Sequence, residues 1–180
     1  MNILILYGTT EGQTRKIARF MEEVLVEKGH QVSLADASEN PPAPGVFDAI
    51  MVGASIHVGG YQSAVAHYIK KNLAALNALP GAFFSVCLAV ASDHEEEHRE
   101  VEKIARNFLA QTGWNPKSVT QIAGALKYTQ YDFFKRLVMK SISKKEGRTT
   151  DTSQDHEYTD WNQVKAFTLD FIGNLPGNDT

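Results

Sequence analysis

Apolar positions along this chain follow two spacings, short unbroken runs and stripes of helical period, and the two alternate. Residues 3–7, Ile-Leu-Ile-Leu-Tyr, form a continuous apolar run, which predicts a strand covered on both faces. Over 13–28, Ile17, Phe20, Met21, Val24 and Leu25 fall on one helical stripe that stops at Gly29. Residues 30–35 read as a second strand, and the proline-rich stretch 37–45 as a loop. A third buried strand is predicted over 47–55, ending in small residues, then a helix over 61–73. Pro80 and Gly81 break the chain before a fourth strand over 82–90. Residues 95–111 predict a helix whose acidic first turn suits the helix dipole. A fifth strand follows over 118–126. The last helix, 160–173, turns Trp161, Val164, Phe167 and Phe171 inward, with Asp160 or Thr159 as its cap. Residues 127–153 do not fit the rhythm, and no internal repeat is present.

Five strands alternating with helices imply an open parallel sheet with helices on both faces. Two strand orders suit five strands, 2-1-3-4-5 and a Rossmann half, and both place ligands beyond the carboxyl ends of the strands. Three such ends carry small or polar residues: 8–14, 53–60 and 89–94.

Composition changes this picture little. A chain of 180 residues with 43% hydrophobic and 22% charged residues suits one domain with a sizeable core. Its formal net charge of −3 gives no reason to expect nucleic acid as a partner. No stretch approaches the roughly 20 apolar residues of a membrane span, and "MNILILYG" lacks the basic start of a signal peptide. A cytoplasmic location is the expectation. The single cysteine, Cys87, leaves no internal disulfide and no multi-cysteine metal site. The charge is unevenly spread, however. Residues 127–148 hold 7 Lys or Arg against 2 Asp or Glu, an island of +5 in an acidic protein.

The first loop suggests chemistry. Amide N–H groups at a helix N-terminus bind anions, with help from the helix dipole. Gly8 and Gly12 let the backbone approach a ligand, and Thr9, Thr10 and Thr14 can donate to phosphate oxygens. The only charge in the loop is Glu11, beside Gln13. The lysine of a Walker A loop and the G-x-G-x-x-G of a dinucleotide site are both missing. The expected ligand is a terminal phosphate monoester held by amides and hydroxyls, without a metal.

"TTEGQT" (9–14) is similar to the phosphate loop of flavodoxins, T/S-x-T/D-G-x-T, which holds the phosphate of FMN. "GASIHVGGY" (53–61) resembles the second FMN loop of that family, and "AVASDH" (89–94) fits the third. A narrower likeness is carried by "GASIHVGGYQSAVAHYIKK", "LPGAFFSVCLAV", "IAGALKYTQYDFFKRLVMK" and "YTDW". These resemble the menaquinone-dependent protoporphyrinogen IX dehydrogenases of bacterial haem synthesis, flavodoxin-like FMN proteins with an extra segment before the last helix. The resemblance implies a flavodoxin-like sheet of order 2-1-3-4-5 over residues 1–180, with a basic insert at about 127–153. It implies an enzyme that oxidises protoporphyrinogen IX and passes electrons to menaquinone or another quinone, bound peripherally at the cytoplasmic membrane face. The rival functions are a flavodoxin-type electron carrier and a flavodoxin-like NAD(P)H:quinone reductase.

On that resemblance FMN is expected to meet Thr9, Thr10, Glu11, Gly12, Gln13 and Thr14 in the first loop. The second loop offers Ser55, Ile56, His57, Val58 and Gly59, with Tyr61 nearby; the third offers Ala89, Val90, Ala91, Ser92 and Asp93. Few aromatics flank the ring, which leaves a face open for a substrate. His57 is a weak candidate for a catalytic role, since the cofactor carries the chemistry. His94 and His98, one turn apart, have zinc spacing but also suit a solvated acidic helix start. Cys87 reads as a small buried strand residue, and Trp161 as a staple for the last helix. Taken as a helix, 131–145 sets Phe133, Phe134, Leu137, Val138 and Ile142 against Lys135, Arg136 and Lys140. With Tyr128, this segment suits an anionic tetrapyrrole, a membrane surface, or simple packing on its own domain.

Overall fold

The structure is a computed structural model and describes residues 1–126 and 156–176. Its strands are β1 (Asn2–Gly8), β2 (Gln31–Asp36), β3 (Ala49–Ser55), β4 (Gly81–Cys87) and β5 (Ser118–Ala123). They form one parallel sheet in the order β2-β1-β3-β4-β5, the first of the two expected orders. β1 lies inside the sheet, parallel to β2 on one side and β3 on the other, so its apolar run is buried on both faces. Its residues alternate between two cores. Ile3, Ile5 and Tyr7 face a core completed by α1 (Gln13–Glu27) and the last helix, Trp161–Gly173. Leu4 and Leu6 face a second core completed by α2 (Ser63–Lys71), α3 (Leu73–Ala78) and α4 (Glu95–Thr112). The last helix is α5 here.

The helical stripe of α1 is buried as expected at Ile17, Met21, Val24 and Leu25, and Phe20 packs at its margin. In α5, Val164 and Phe171 are buried, while Trp161 and Phe167 are partly so. Asp160 caps α5, accepting from the amides of Asn162 at 2.9 Å and Gln163 at 3.1 Å.

Three boundaries depart from the expectation. The helix predicted over 61–73 is α2, which stops at Lys71; both the backbone and side-chain amides of Asn72 bond the Tyr68 carbonyl, at 3.1 and 2.9 Å, and a separate helix, α3, starts at Leu73. The fourth strand ends at Cys87, and Leu88–Ala91 tightens into a 3-10 turn past the end of the paired sheet. The fifth strand stops at Ala123. Beyond Gly124, β6 (Ala125–Leu126) leaves the sheet and pairs antiparallel with β7 (His156–Glu157). Residues 127–155 connect these two strands.

Candidate functional site

The register brings the carboxyl ends of three strands to one edge. Gly8 is level with Ala54, Ser55 with Val86, and Cys87 with Ala123. The loops that follow β1, β3 and β4 therefore open side by side, as the sequence suggested.

In the first loop Gly12 takes φ 90°, a left-handed backbone that favours glycine, and starts α1. Its amide donates to Thr9 Oγ1 at 2.8 Å. Among the described residues no side chain caps α1. The first amides of a helix have no partners within it, and these carry the positive end of the dipole. Thr14 is fully buried and its hydroxyl has no partner among the described residues. Glu11 Oε1 is likewise buried and unpartnered. The two differ in what they suit. A hydroxyl can donate to a phosphate oxygen, whereas a carboxylate only accepts, and so suits a ligand hydroxyl or N–H.

The second loop leaves β3 at Ser55. The amide of Ile56 still bonds the Val86 carbonyl at 2.9 Å, and His57 and Gly60 then close a tight turn through paired bonds of 2.8 and 3.2 Å. The central residues, Val58 and Gly59, have φ 50° and 78°, the signs of a type I′ turn. Glycine suits that position; a β-branched valine does not. Val58 is nevertheless held there with 92% of its surface exposed, at the lip of the site. Tyr61, expected near the ligand ring, is half-buried and packs against the core. Its ring meets Phe83 and Phe108 at centroid distances of 5.5 and 4.7 Å, and its hydroxyl donates to Ser85 Oγ at 2.7 Å. Burial keeps that phenol protonated well past its ordinary range.

Gln62 joins the first two loops. Its amide nitrogen donates to Ser55 Oγ at 2.7 Å and to Thr10 Oγ1 at 3.0 Å. In the third loop, Ala89, Val90 and Ser92 are half-buried and Ala91 and Asp93 exposed. The ring of His98 bonds the Ser92 carbonyl at 2.7 Å, turning it to the loop. Cys87 is partly buried beside this loop, and burial pushes its thiol up from the ordinary value.

A strap formed by residues 156–161 closes the α1 side. Gln13 donates its amide to Thr159 Oγ1 at 2.9 Å, and Thr159 donates to the Ala123 carbonyl at 2.7 Å. Lys16 pairs with Glu157, which also accepts from Trp161 Nε1 at 2.8 Å. Trp161 packs on Phe20 with ring centroids 4.9 Å apart, which bears out its reading as a staple.

A flavodoxin domain family model matches residues 4–153. The protoporphyrinogen IX dehydrogenase [quinone] of Escherichia coli (strain K12) is 40% identical over 168 residues, spanning 93% of this chain and 92% of that one. This chain belongs to the protoporphyrinogen IX dehydrogenase [quinone] family. The family member of Leishmania major is 35% identical over 172 residues, 93% of this chain and 73% of its own. Among solved structures, oxidised Flavodoxin 1 from Bacillus cereus matches with a TM-score of 0.58 at 14% identity, covering 97% of this chain and 99% of that one. At that identity the likeness shows the flavodoxin-like fold alone.

Within this dehydrogenase family, the sequence reading placed the first-loop residues on the motif, and the fold brings Thr9–Thr14 and Ser55–Gly59 to one edge. It missed Gln62, whose partners lie 52 and 7 positions away in the chain. Tyr128, Phe133, Lys135, Arg136 and Lys140 lie outside the described residues.

Proposed function

We propose that this protein oxidises protoporphyrinogen IX to protoporphyrin IX, with FMN as cofactor and a membrane quinone, menaquinone, as acceptor. The observation that carries the reading is the 40% identity, over 93% of the chain, with a protoporphyrinogen IX dehydrogenase. The flavodoxin domain supports a flavin, and the first loop supports a flavin that ends in phosphate. An uncapped helix start beside the buried, unpartnered hydroxyl of Thr14 matches a phosphate monoester.

In this reading the amides of Gln13 and Thr14 and the hydroxyls of Thr9, Thr10 and Thr14 hold the phosphate, while the Gly12 amide braces Thr9. Ser55, Ile56, His57, Val58 and Gly59, with Ala89, Val90, Ala91, Ser92 and Asp93, surround the ring system. Bound FMN supplies two-electron chemistry. The substrate loses six electrons and six protons overall, so three quinones become three quinols per porphyrin. The protein's own share is placement: apolar Ile56 and Val58 offer a surface for a tetrapyrrole, and His57 stands where a substrate carboxylate can be met. The acceptor resides in the bilayer, while no described helix is long and apolar enough to cross one. The +5 island at 127–148 supports peripheral attachment to an anionic leaflet on the cytoplasmic side.

A steady-state assay on the purified flavoprotein tests this. Protoporphyrin should form from protoporphyrinogen when a menaquinone analogue is present, at a rate proportional to enzyme. No porphyrin above the uncatalysed rate, with NADPH oxidised instead, would replace this reading by an NAD(P)H:quinone reductase.

A further inference from the structure

We propose that Gln62 is a positioning residue that fixes the hydrogen-bond polarity of the flavin site, turning Thr10 and Ser55 into donors towards the ligand. The proposal rests on the FMN reading given above. It starts from an oddity of local structure. Gln62 occupies the N-cap of α2, and its carbonyl receives the first helical bond, from Val65 N at 3.1 Å. Ser, Thr, Asp or Asn at this position ordinarily bonds back to the amides of its own helix. Gln62 makes no such bond. Its side chain crosses between the loops instead, and both hydrogens of its Nε2 are used, one on Ser55 Oγ at 2.7 Å and one on Thr10 Oγ1 at 3.0 Å.

A hydroxyl has one proton and two lone pairs. Once Thr10 and Ser55 accept from Gln62, each keeps its own proton to give elsewhere. Two neutral hydroxyls of undefined polarity thus become two donors, one in the first loop and one in the second. That suits an anionic or carbonyl-bearing ligand and disfavours a cation. The cost is visible at the other end of the amide, where Gln62 Oε1 is buried with no partner among the described residues. Gly8 makes room for the arrangement. A Cβ there would lie 2.4 Å from Val65 Cγ2 and 3.1 Å from Gln62 Oε1, so only glycine lets α2 and its N-cap residue come this close to the end of β1. Thr10 meets the phosphate end in the proposed site and Ser55 the ring end, so the two arms of the amide make separable contributions.

The test compares FMN and riboflavin binding to flavin-stripped protein by fluorescence quenching, with the phosphorus NMR signal of bound FMN as a second readout. Gln62→Glu replaces two donors by a group that only accepts, and recruits the Thr10 hydroxyl proton to itself. FMN affinity should fall by about a hundredfold and riboflavin affinity by about tenfold, with the phosphorus signal displaced. Gln62→Met, similar in shape but without polarity, should lose about tenfold for FMN. Thr10→Val should reproduce the phosphate-selective part of the loss. In the Thr10→Val background, Gln62→Met should cost less than it does alone, because the two residues act as a unit. The proposal is overturned if the variants lose FMN and riboflavin in equal ratio together with thermal stability, since Gln62 is then only a brace. Additive losses for Thr10→Val and Gln62→Met overturn it too, and do so even if Gln62→Glu does not fold. If the unaltered stripped protein binds neither flavin, the FMN reading fails and takes this proposal with it.

Discussion

Thr14 and Val58 show single residues whose local energetics run against the stability of the free chain. A buried hydroxyl without a partner costs about 1–3 kcal/mol. Thr14→Val removes that hydroxyl and keeps the shape, so the flavin-free protein should melt at the same temperature or higher. The same change should weaken FMN by about tenfold to a hundredfold, the value of one hydrogen bond to a charged group, and leave riboflavin nearly unaffected. Calorimetric melting and flavin titration on one preparation check both signs. Val58 stores a different cost, since a left-handed backbone is unfavourable by roughly 1–2 kcal/mol for an ordinary residue. Val58→Asn, followed by Gly59, gives the Asn-Gly pair that a type I′ turn favours, and should raise the urea midpoint of the flavin-free protein. An unchanged midpoint would mean that the turn does not hold the valine at positive φ. The first loop was legible in the sequence because its threonines and glycines are contiguous and sit where a buried run meets a helical stripe. Gln62 was not, because its role exists only once two distant loops are side by side. The contacts of Tyr61 were hidden too: it follows the second loop in sequence, but that its ring packs on Phe83 and Phe108 exists only in the fold.

At the scale of elements, hydrophobic period decided most of what the chain does. β1, β3 and β4 are apolar runs whose residues alternate between two cores, the edge strands β2 and β5 are more polar and less buried, and each long helix carries one stripe. What the period could not show was where a helix or the strand pairing ends, as at Asn72, after Cys87 and at Gly124. The strap over α1 was equally hidden, since Gln13 and Thr159 are 146 positions apart. Its ion pair makes a pH prediction. Burial alone would raise the Glu157 carboxyl, but hydrogen bonds from Lys16 and Trp161 outweigh it and hold the group below its ordinary value. A carboxyl depressed in the folded state adds stability above its unfolded value and loses it as pH falls through the folded one. The unaltered protein should therefore be slightly more stable than Glu157→Gln at neutral pH. The gap should close as the pH drops below roughly 4, where carboxylates titrate. The gap is small because the pair is largely solvated. Urea midpoints of both proteins across that range measure it.

For the molecule as a whole, charge and order of synthesis matter more than any one contact. The island at 127–148 carries +5 while the chain carries −3. Each basic residue near an anionic leaflet adds about 1 kcal/mol, screened over roughly 8 Å at physiological salt. Changing Lys135, Arg136 and Lys140 together to Gln should weaken sedimentation with phosphatidylserine vesicles and leave FMN affinity unchanged. Equal sedimentation would make the island ordinary solvated surface. The packing of α5 against α1 has a temporal side as well. Ile17 and Met21 share a core with Val164 and Phe171, so the helix made early is covered by the helix made late. During translation α1 covers only part of that face of the sheet, and the apolar surface that Val164 and Phe171 will bury stays open to water or a chaperone until α5 has been made. The strap that holds Gln13 belongs to the same late segment. A chain broken off before residue 156 would therefore lack both the strap and α5, and would leave one flank of α1 and the sheet beneath it uncovered.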